Sequence, residues 1–494
     1  MPIILGIDLG TSSAKAMLLD TGRGVVGTAA RSYGVDIPQA GYAEQAPLMW
    51  WKSMSEVLRQ LREQYTTDFA RVEAVGLAGQ MHGLVVVDKA GKPLRPAILW
   101  LDQRSDPQAK AVHAAFSLDK IGSLLHNRVF SGFAFSSLLW IKENEPEVFG
   151  RIASIMLPKD YIRYLLTGKI ASDYSDASAT GVFNPGRRHW AFEIIDYFEI
   201  SRSIFPKCGQ SAEIAGNITD AAAKLTGLRP GIPVVYGGGD HPVQSIGNGL
   251  VYEGALISNI GTGGQITCFS KTDLYDKKLR TQTFCHALPG AFTIFGATLS
   301  GGMSLNWLTE KLLHRDDYSV LGDGAAEVPV GSEGLIYLPY LAGERTPHMD
   351  AYARGMFFGI TLGMDDRHFA RAVFEGVVYS LKDSLLILQE MGISSNKIIA
   401  SGGGAKIPLW LQIQADILGM DVHVSKVKEQ GCLGACILAA VGVGVYRNVE
   451  EGCAKNVSFS EDIYYPVMES QMVYQKGYDV YKELYKRTSD LMRL

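Results

Sequence analysis

The chain is predicted to be an α/β protein made of two related halves, and three observations predict it. Strand-like apolar runs alternate with helical patterns through most of the sequence, as in IILGIDLG at 3–10, VEAVGLAG at 72–79 and KIIASGGG at 397–404, which calls for helices packed on sheets. A pattern of strand, Gly-Thr, two small residues and strand occurs twice, in LGIDLGTSSAKAMLLD at 5–20 and LISNIGTGGQITCFS at 256–270. Two hairpins with small tips match by chance too readily to carry the case alone. Each half, however, also has a glycine-rich segment leaving a strand for a helix, at 236–249 and 400–419.

With 494 residues, 47% of them hydrophobic and 20% charged, the chain can bury more than one core, and two or three domains are expected. A net charge of −4 leaves no basic stripe for nucleic acid or an anionic membrane. The first residues, MPIILGIDLG, lack a basic leader and reach an Asp by position 8, so they read as a buried strand and the protein as cytoplasmic. The six cysteines form no CxxC pair and are expected to be free and buried.

Taken in order, the tip Gly10-Thr11-Ser12-Ser13 offers backbone N–H groups and hydroxyls to a polyphosphate. Asp8, two residues earlier, points at the same space; it suits a metal-bound water, since two anions repel without a cation between them, or else satisfies turn amides. In GLAGQMHGLVVVD at 76–88, Gln80, Met81 and His82 lie between Gly79 and Gly83 at a turn, where a histidine can meet sugar hydroxyls. ILWLDQRSD at 98–106, if extended, sets Trp100, Asp102 and Arg104 on one face, lining a polar pocket or leaving Asp102 and Arg104 as a surface pair.

Asp240 closes the run IPVVYGGG, so a carboxylate ends a buried strand with three glycines clearing space around it. Partial burial raises its pKa toward that of a general base, and a nearby metal opposes the shift; the alternative is a helix cap. No GxxxxGK[ST] occurs and no GxGxxG follows the first strand, so a different phosphate cradle is required. The run 431–446 is broken by glycines, too short for a membrane span, and reads as a buried helix carrying Cys432 and Cys436 on one face. A helical tail is expected from about 462, with Tyr464, Tyr465, Tyr474, Tyr478, Tyr481 and Tyr485 covering a lobe. The halves divide at 1–247 and 248–445, with 446–494 as the tail.

These segments together resemble the FGGY carbohydrate kinases. The resemblance rests on GIDLGTSSAKAMLLD, AGQMHG, RPAILWLDQR, LPKDYIRYLLTG, SDYSDASAT, GGGD, FCHALPG, LPYLAGERTPH and SGGGAK, in that order along nearly the whole chain. It implies two actin-like, ribonuclease-H-like ATPase lobes with a cleft between them, as in the actin, hexokinase and heat-shock-protein ATPase superfamily. It also implies ATP and Mg²⁺, a homodimer, and phosphorylation of a small sugar, D-xylulose first, with another pentulose, a polyol or gluconate as alternatives. A sugar or nucleotide sensor on the same scaffold is the non-catalytic alternative.

By position, the resemblance makes Asp240 the catalytic base, and Asp8, with Asp240, the group that serves Mg²⁺–ATP. It sets Met81 and His82 on the sugar, joined by His241, Trp100, Asp102 and Arg104. Thr11, Ser12, Lys15, Thr262 and Gly263 belong to the phosphate side, and Gly302, Asn306, Gly403 and Gly404 to the nucleoside. Three departures stand out: His241 where relatives carry Asn, GTGG for the commoner GTSG at 261–264, and Ser137 where many carry Lys.

Overall fold

In the computed structural model, residues 1–314 and 318–493 are described. The first sheet contains β1 (Ile3–Leu9), β2 (Ser13–Asp20), β3 (Gly24–Ser32), β4 (Val72–Gly79), β5 (Ile214–Asn217), β6 (Pro233–Val235) and the short β7 (Gly238–Gly239). Its order is β5-β6-β4-β1-β2-β3, with β7 beside β4. The second sheet contains β8 (Ala255–Ile260), β9 (Gly264–Ser270), β10 (Gln282–Cys285), β11 (Phe292–Thr298), β12 (Lys397–Gly402), β13 (Asp421–Ser425) and β14 (Phe459–Tyr464), in the order β10-β11-β9-β8-β12-β13-β14.

The repeat seen in the sequence is thus a repeat of topology. In each sheet the first strand pairs antiparallel with the second across a Gly-Thr tip, and parallel with a later strand on its other side. Central strands buried on both faces read as continuous apolar runs, and β1 shows this burial from Ile3 through Ile7.

Two helices lock the first sheet to the far end of the chain. α1 (Asp240–Gly247) leaves β7, and α2 (Gln430–Gly442), which carries the buried Cys432 and Cys436, lies against β1, β4 and α1. The approach is backbone to backbone: a Cβ added at Gly6 would overlap the carbonyl of Cys432, at Gly76 that of Ala435, and at Gly434 that of Val243. Only glycine lets the elements come so close. All six cysteines are free, five of them buried.

The tail differs from the sequence expectation. Residues 459–464 form strand β14 on β13, and the last long helix, α3 (Met468–Thr488), begins only at Met468. The edge of the second sheet captures a segment whose local pattern reads equally as helix. Tyr474, Tyr478 and Tyr481 do pack against the second lobe, with Tyr481 hydroxyl 2.6 Å from that of Tyr340 and Arg371 donating to Tyr474 at 2.9 Å. Tyr465 is exposed. Among the described residues, no helix is long and apolar enough to cross a membrane.

Candidate active site

The tip between β1 and β2 is held from several sides. Gly10 N–H donates to Ser13 O at 2.9 Å, Tyr33 hydroxyl to Gly10 O at 2.6 Å, and Gln45 Nε2 to Thr11 O at 2.7 Å. Thr11 hydroxyl donates to Gln80 Oε1 at 3.1 Å and accepts from Trp100 Nε1 at 2.9 Å, while Ser12 stands exposed at the apex. Lys15 is tied to Glu429 at 2.7 Å. Asp8 sits under the start of α2, where Gly431 leaves just enough room for its carboxyl. Its Oδ1 is buried with no hydrogen-bond partner among the described residues. Burial outweighs the attraction of Lys15 and pushes the Asp8 carboxyl up to about 6, with Glu429 adding to the rise.

The end of β4 turns sharply. Gln80 N–H donates to Leu9 O at 2.8 Å, tying this turn to the first tip, and Gly83 N–H reaches Met81 O at 2.8 Å around His82, whose φ is 70°. His82 Nδ1 lies 2.6 Å from Ala179 O. A carbonyl only accepts, so Nδ1 carries the proton and Nε2 is left as an acceptor. The ring stacks on Phe133 at 4.1 Å, and burial pushes its pKa down to about 4, keeping it neutral.

Asp240 stands where β7 ends and α1 begins. A Cβ at Gly237 would overlap Leu77 O, and one at Gly239 would lie 2.6 Å from Met81 Cγ, so the glycines permit the close approach of two strand ends. His241 N–H donates to Asp240 Oδ1 at 2.8 Å. Burial, and then the neighbouring Asp8, push the Asp240 carboxyl up to about 7. His241 reaches across to the second lobe, with Nε2 3.1 Å from Thr267 Oγ1 and its ring 4.4 Å from Phe295. Burial holds it neutral, with a pKa of about 4.

On the second lobe, Gly261 N–H donates to Gly263 O at 2.9 Å. The helix beginning at Gly302 donates back into the tip, Gly302 N–H to Gly261 O at 2.7 Å and Met303 N–H to Thr262 O at 3.0 Å. Thr262 is exposed, Gly263 half-buried and Asn306 exposed on that helix. Gly403 and Gly404 form a 3₁₀ turn after β12, with Gly404 packed on Ile260 at the foot of the same tip. The second-lobe residues expected on the nucleotide side therefore lie close together.

A cavity of about 240 Å³ lies between the lobes, lined from the first by Thr11, Met81, His82, Trp100, Asp240 and His241. The other lobe contributes Asn259, Gln265, Gln282, Phe295 and Arg345. Its polar lining suits a small hydroxylated molecule. The second-lobe residues, with Phe133 and Gln244, were not singled out from the sequence. Asn259, Gln265, Gln244 and Arg345 do fall in segments with a local signal, the repeat at 256–270, the glycine-rich 236–249 and LPYLAGERTPH.

Asp102 and Arg104 do not line this cavity, and residues 99–105 form turns rather than an extended face. Asp102 accepts Ala43 N–H at 2.6 Å and binds the Arg104 guanidinium at 2.7–2.9 Å; Arg104 also meets Glu44 at 2.7 Å and lies 3.7 Å over Tyr42. The pair is buried, so it is neither a sugar-facing wall nor a surface salt bridge. Its bonds curl the chain and leave Trp100 alone at the cavity. Ser137 is fully buried, and its hydroxyl has no hydrogen-bond partner among the described residues.

Behind both strand ends lies a buried ionic cluster. Lys159 Nζ is 2.7 Å from Asp160, 2.8 Å from Asp173 and 3.2 Å from Asp176, and Arg163 adds a 2.9 Å bond to Asp160. The three carboxylates are close enough to hold a cation, but the Lys159 ammonium already fills that role. Its stem packs against Gly79, while Asp176 lies near Gly239.

Two lobes of like topology, each with a Gly-Thr tip, and a carboxyl of raised pKa lining a small cavity between them fit an enzyme of phosphoryl transfer to a small acceptor. Residues 3–247 match the N-terminal domain of the FGGY family of carbohydrate kinases, and residues 256–443 match its C-terminal domain. The chain belongs to that family and is a carbohydrate kinase with the actin- and hexokinase-like ATPase fold. It is 37% identical to a xylulose kinase of Staphylococcus epidermidis over 99% of this chain and 97% of the relative. It is 31% identical to a gluconokinase of Bacillus subtilis over 89% and 88% of the two chains. The solved xylulose kinase from Rhodospirillum rubrum superposes with a TM-score of 0.93 at 28% identity, covering 100% of both chains.

Proposed function

We propose that this kinase transfers the γ-phosphoryl group of ATP to the C5 hydroxyl of D-xylulose, giving D-xylulose 5-phosphate and ADP. The observation that carries the reading is Asp240, a half-buried carboxyl raised to about 7 that lines the sugar-sized cavity with Asp8 as its charged neighbour. Its Oδ1 is held by His241 N–H, and the carboxylate is free to accept the hydroxyl proton as the oxygen attacks phosphorus. Met81, His82, His241 and Trp100 surround the sugar. The backbone amides at Thr11, Ser12, Thr262 and Gly263 face the spreading negative charge of the phosphates, and Gly302, Asn306, Gly403 and Gly404 the nucleoside.

The unpartnered Asp8 Oδ1 and the adjacent Asp240 fit a hydrated Mg²⁺. Bound there, Mg²⁺ would neutralise phosphate charge. With that cation present both carboxyls ionise more readily than in the ligand-free chain. Lys15, paired to Glu429, supports the Asp8 side of the tip rather than reaching the nucleotide directly. The reaction is a cytoplasmic one on this reading.

A phosphorylation screen over D-xylulose, other pentuloses, polyols and gluconate tests the assignment. D-xylulose should give the highest kcat/KM; a higher value with gluconate, the acceptor in the name of the Bacillus relative, would replace it.

A further inference from the structure

Arg345 has no ordinary structural explanation. It is contributed by the second lobe and lines the cavity, and no carboxylate among the described residues comes within ion-pair distance of its guanidinium. The adjacent Glu344 is not a partner. Its Oε2 accepts Thr298 hydroxyl at 2.5 Å, and its Oε1 accepts Leu299 N–H at 3.0 Å and Arg345's own backbone N–H at 2.7 Å. The Arg345 guanidinium instead lies 5.8 Å over the Phe130 ring, itself 5.5 Å from Phe133, on which His82 stacks. The half-buried guanidinium lines the pocket and feels the negative charge of Glu344 through space without forming an ion pair with it, so its donors remain available to a ligand.

We infer that Arg345 is a specificity residue that grips the oxidised end of an open-chain sugar and thereby also admits a short aldonate, its carboxylate on the guanidinium. This rests on the reading of the cavity as the sugar site. Both Asp240 and Arg345 line the cavity, Asp240 with Asp8 as its charged neighbour and Arg345 beside His82 and the Phe130–Phe133 pair. A chain whose terminal hydroxyl meets Asp240 can present its carbonyl or carboxylate to the planar fork of donors, which suits paired oxygens. The neutral amides of Gln265 and Gln282 and the neutral ring of His241 leave Arg345 as the charge that distinguishes this wall.

The test compares the full-length enzyme with Arg345→Gln and Arg345→Lys, measuring kcat and KM for D-xylulose, KM for ATP and inhibition by D-xylonate. Wild type should be inhibited by xylonate competitively with xylulose. Arg345→Gln should raise the xylulose KM by about 10–100-fold, as for loss of a hydrogen bond from a charged donor, with the ATP KM unchanged and xylonate inhibition gone. Arg345→Lys should retain part of the xylonate inhibition, which a merely structural role would not produce. Unchanged xylulose KM and xylonate inhibition in Arg345→Gln, with the melting temperature of wild type, overturns the inference. Xylonate binding is also followed by calorimetry in the absence of turnover, so a failure of wild type to phosphorylate xylulose would count against the substrate and leave the Arg345 result readable.

Discussion

At the scale of single residues, the proposed chemistry turns on two carboxyls raised by burial, Asp8 and Asp240. Asp240 must be deprotonated to act as a base, so the sign of its pH dependence is fixed. In kcat/KM for the free enzyme, activity should level off above about 7, fall about tenfold per pH unit below it as Asp240 protonates, and fall more steeply below about 6 as Asp8 protonates too. Bound Mg²⁺ stabilises the ionised carboxylate, so the inflection in kcat should lie at lower pH than that in kcat/KM. A flat profile between pH 5 and 8 would remove Asp240 from the role. His82 and His241, both driven down to about 4, stay neutral throughout this range and add no second inflection. Asp8 and Asp240 were legible in the sequence because a carboxylate before a small-residue turn, or after a glycine run, is a local pattern. Arg345, Gln265 and Gln282 were not, because their role exists only once the second sheet faces the first lobe.

At the scale of elements, positions are set by close backbone packing and by buried charge. The tips were legible, since strand, Gly-Thr, two small residues and strand recur, and the topology repeats them faithfully. The 98–106 segment was misjudged because Asp102 finds its partners in Ala43 and Arg104, the former far away in sequence. The tail was misjudged because β14 is decided by a free sheet edge on β13. The Lys159 cluster supports both the Gly79–Met81 turn and the Gly239–Asp240 junction, and its members are wholly buried. Removing the ammonium leaves Asp173 and Asp176 without a cation in a dry site, while Asp160 keeps Arg163. Lys159→Met should therefore lower stability by about 3–5 kcal/mol in urea unfolding, whereas a loss under 1 kcal/mol would mean the cluster is not structurally important.

At the scale of the whole molecule, neither lobe holds a complete site. Asp8, Asp240 and one tip come from the first lobe, and the other tip, Arg345 and the glycines proposed for the nucleoside from the second. The chain itself couples them: α2 belongs by sequence to the second half yet packs on β1 and β4, directly over Asp8. Such an arrangement lets lobe closure assemble the site around the sugar and exclude water, which would otherwise accept the phosphoryl group.

The most direct test of the account is ADP release by wild type and Asp240→Asn, at saturating Mg²⁺–ATP, with and without D-xylulose. Wild type should show turnover strongly stimulated by the sugar, and the variant a kcat lower by about 10²–10⁴-fold with ATP affinity retained, as for loss of a general base. Near-normal sugar-dependent turnover in Asp240→Asn would contradict it.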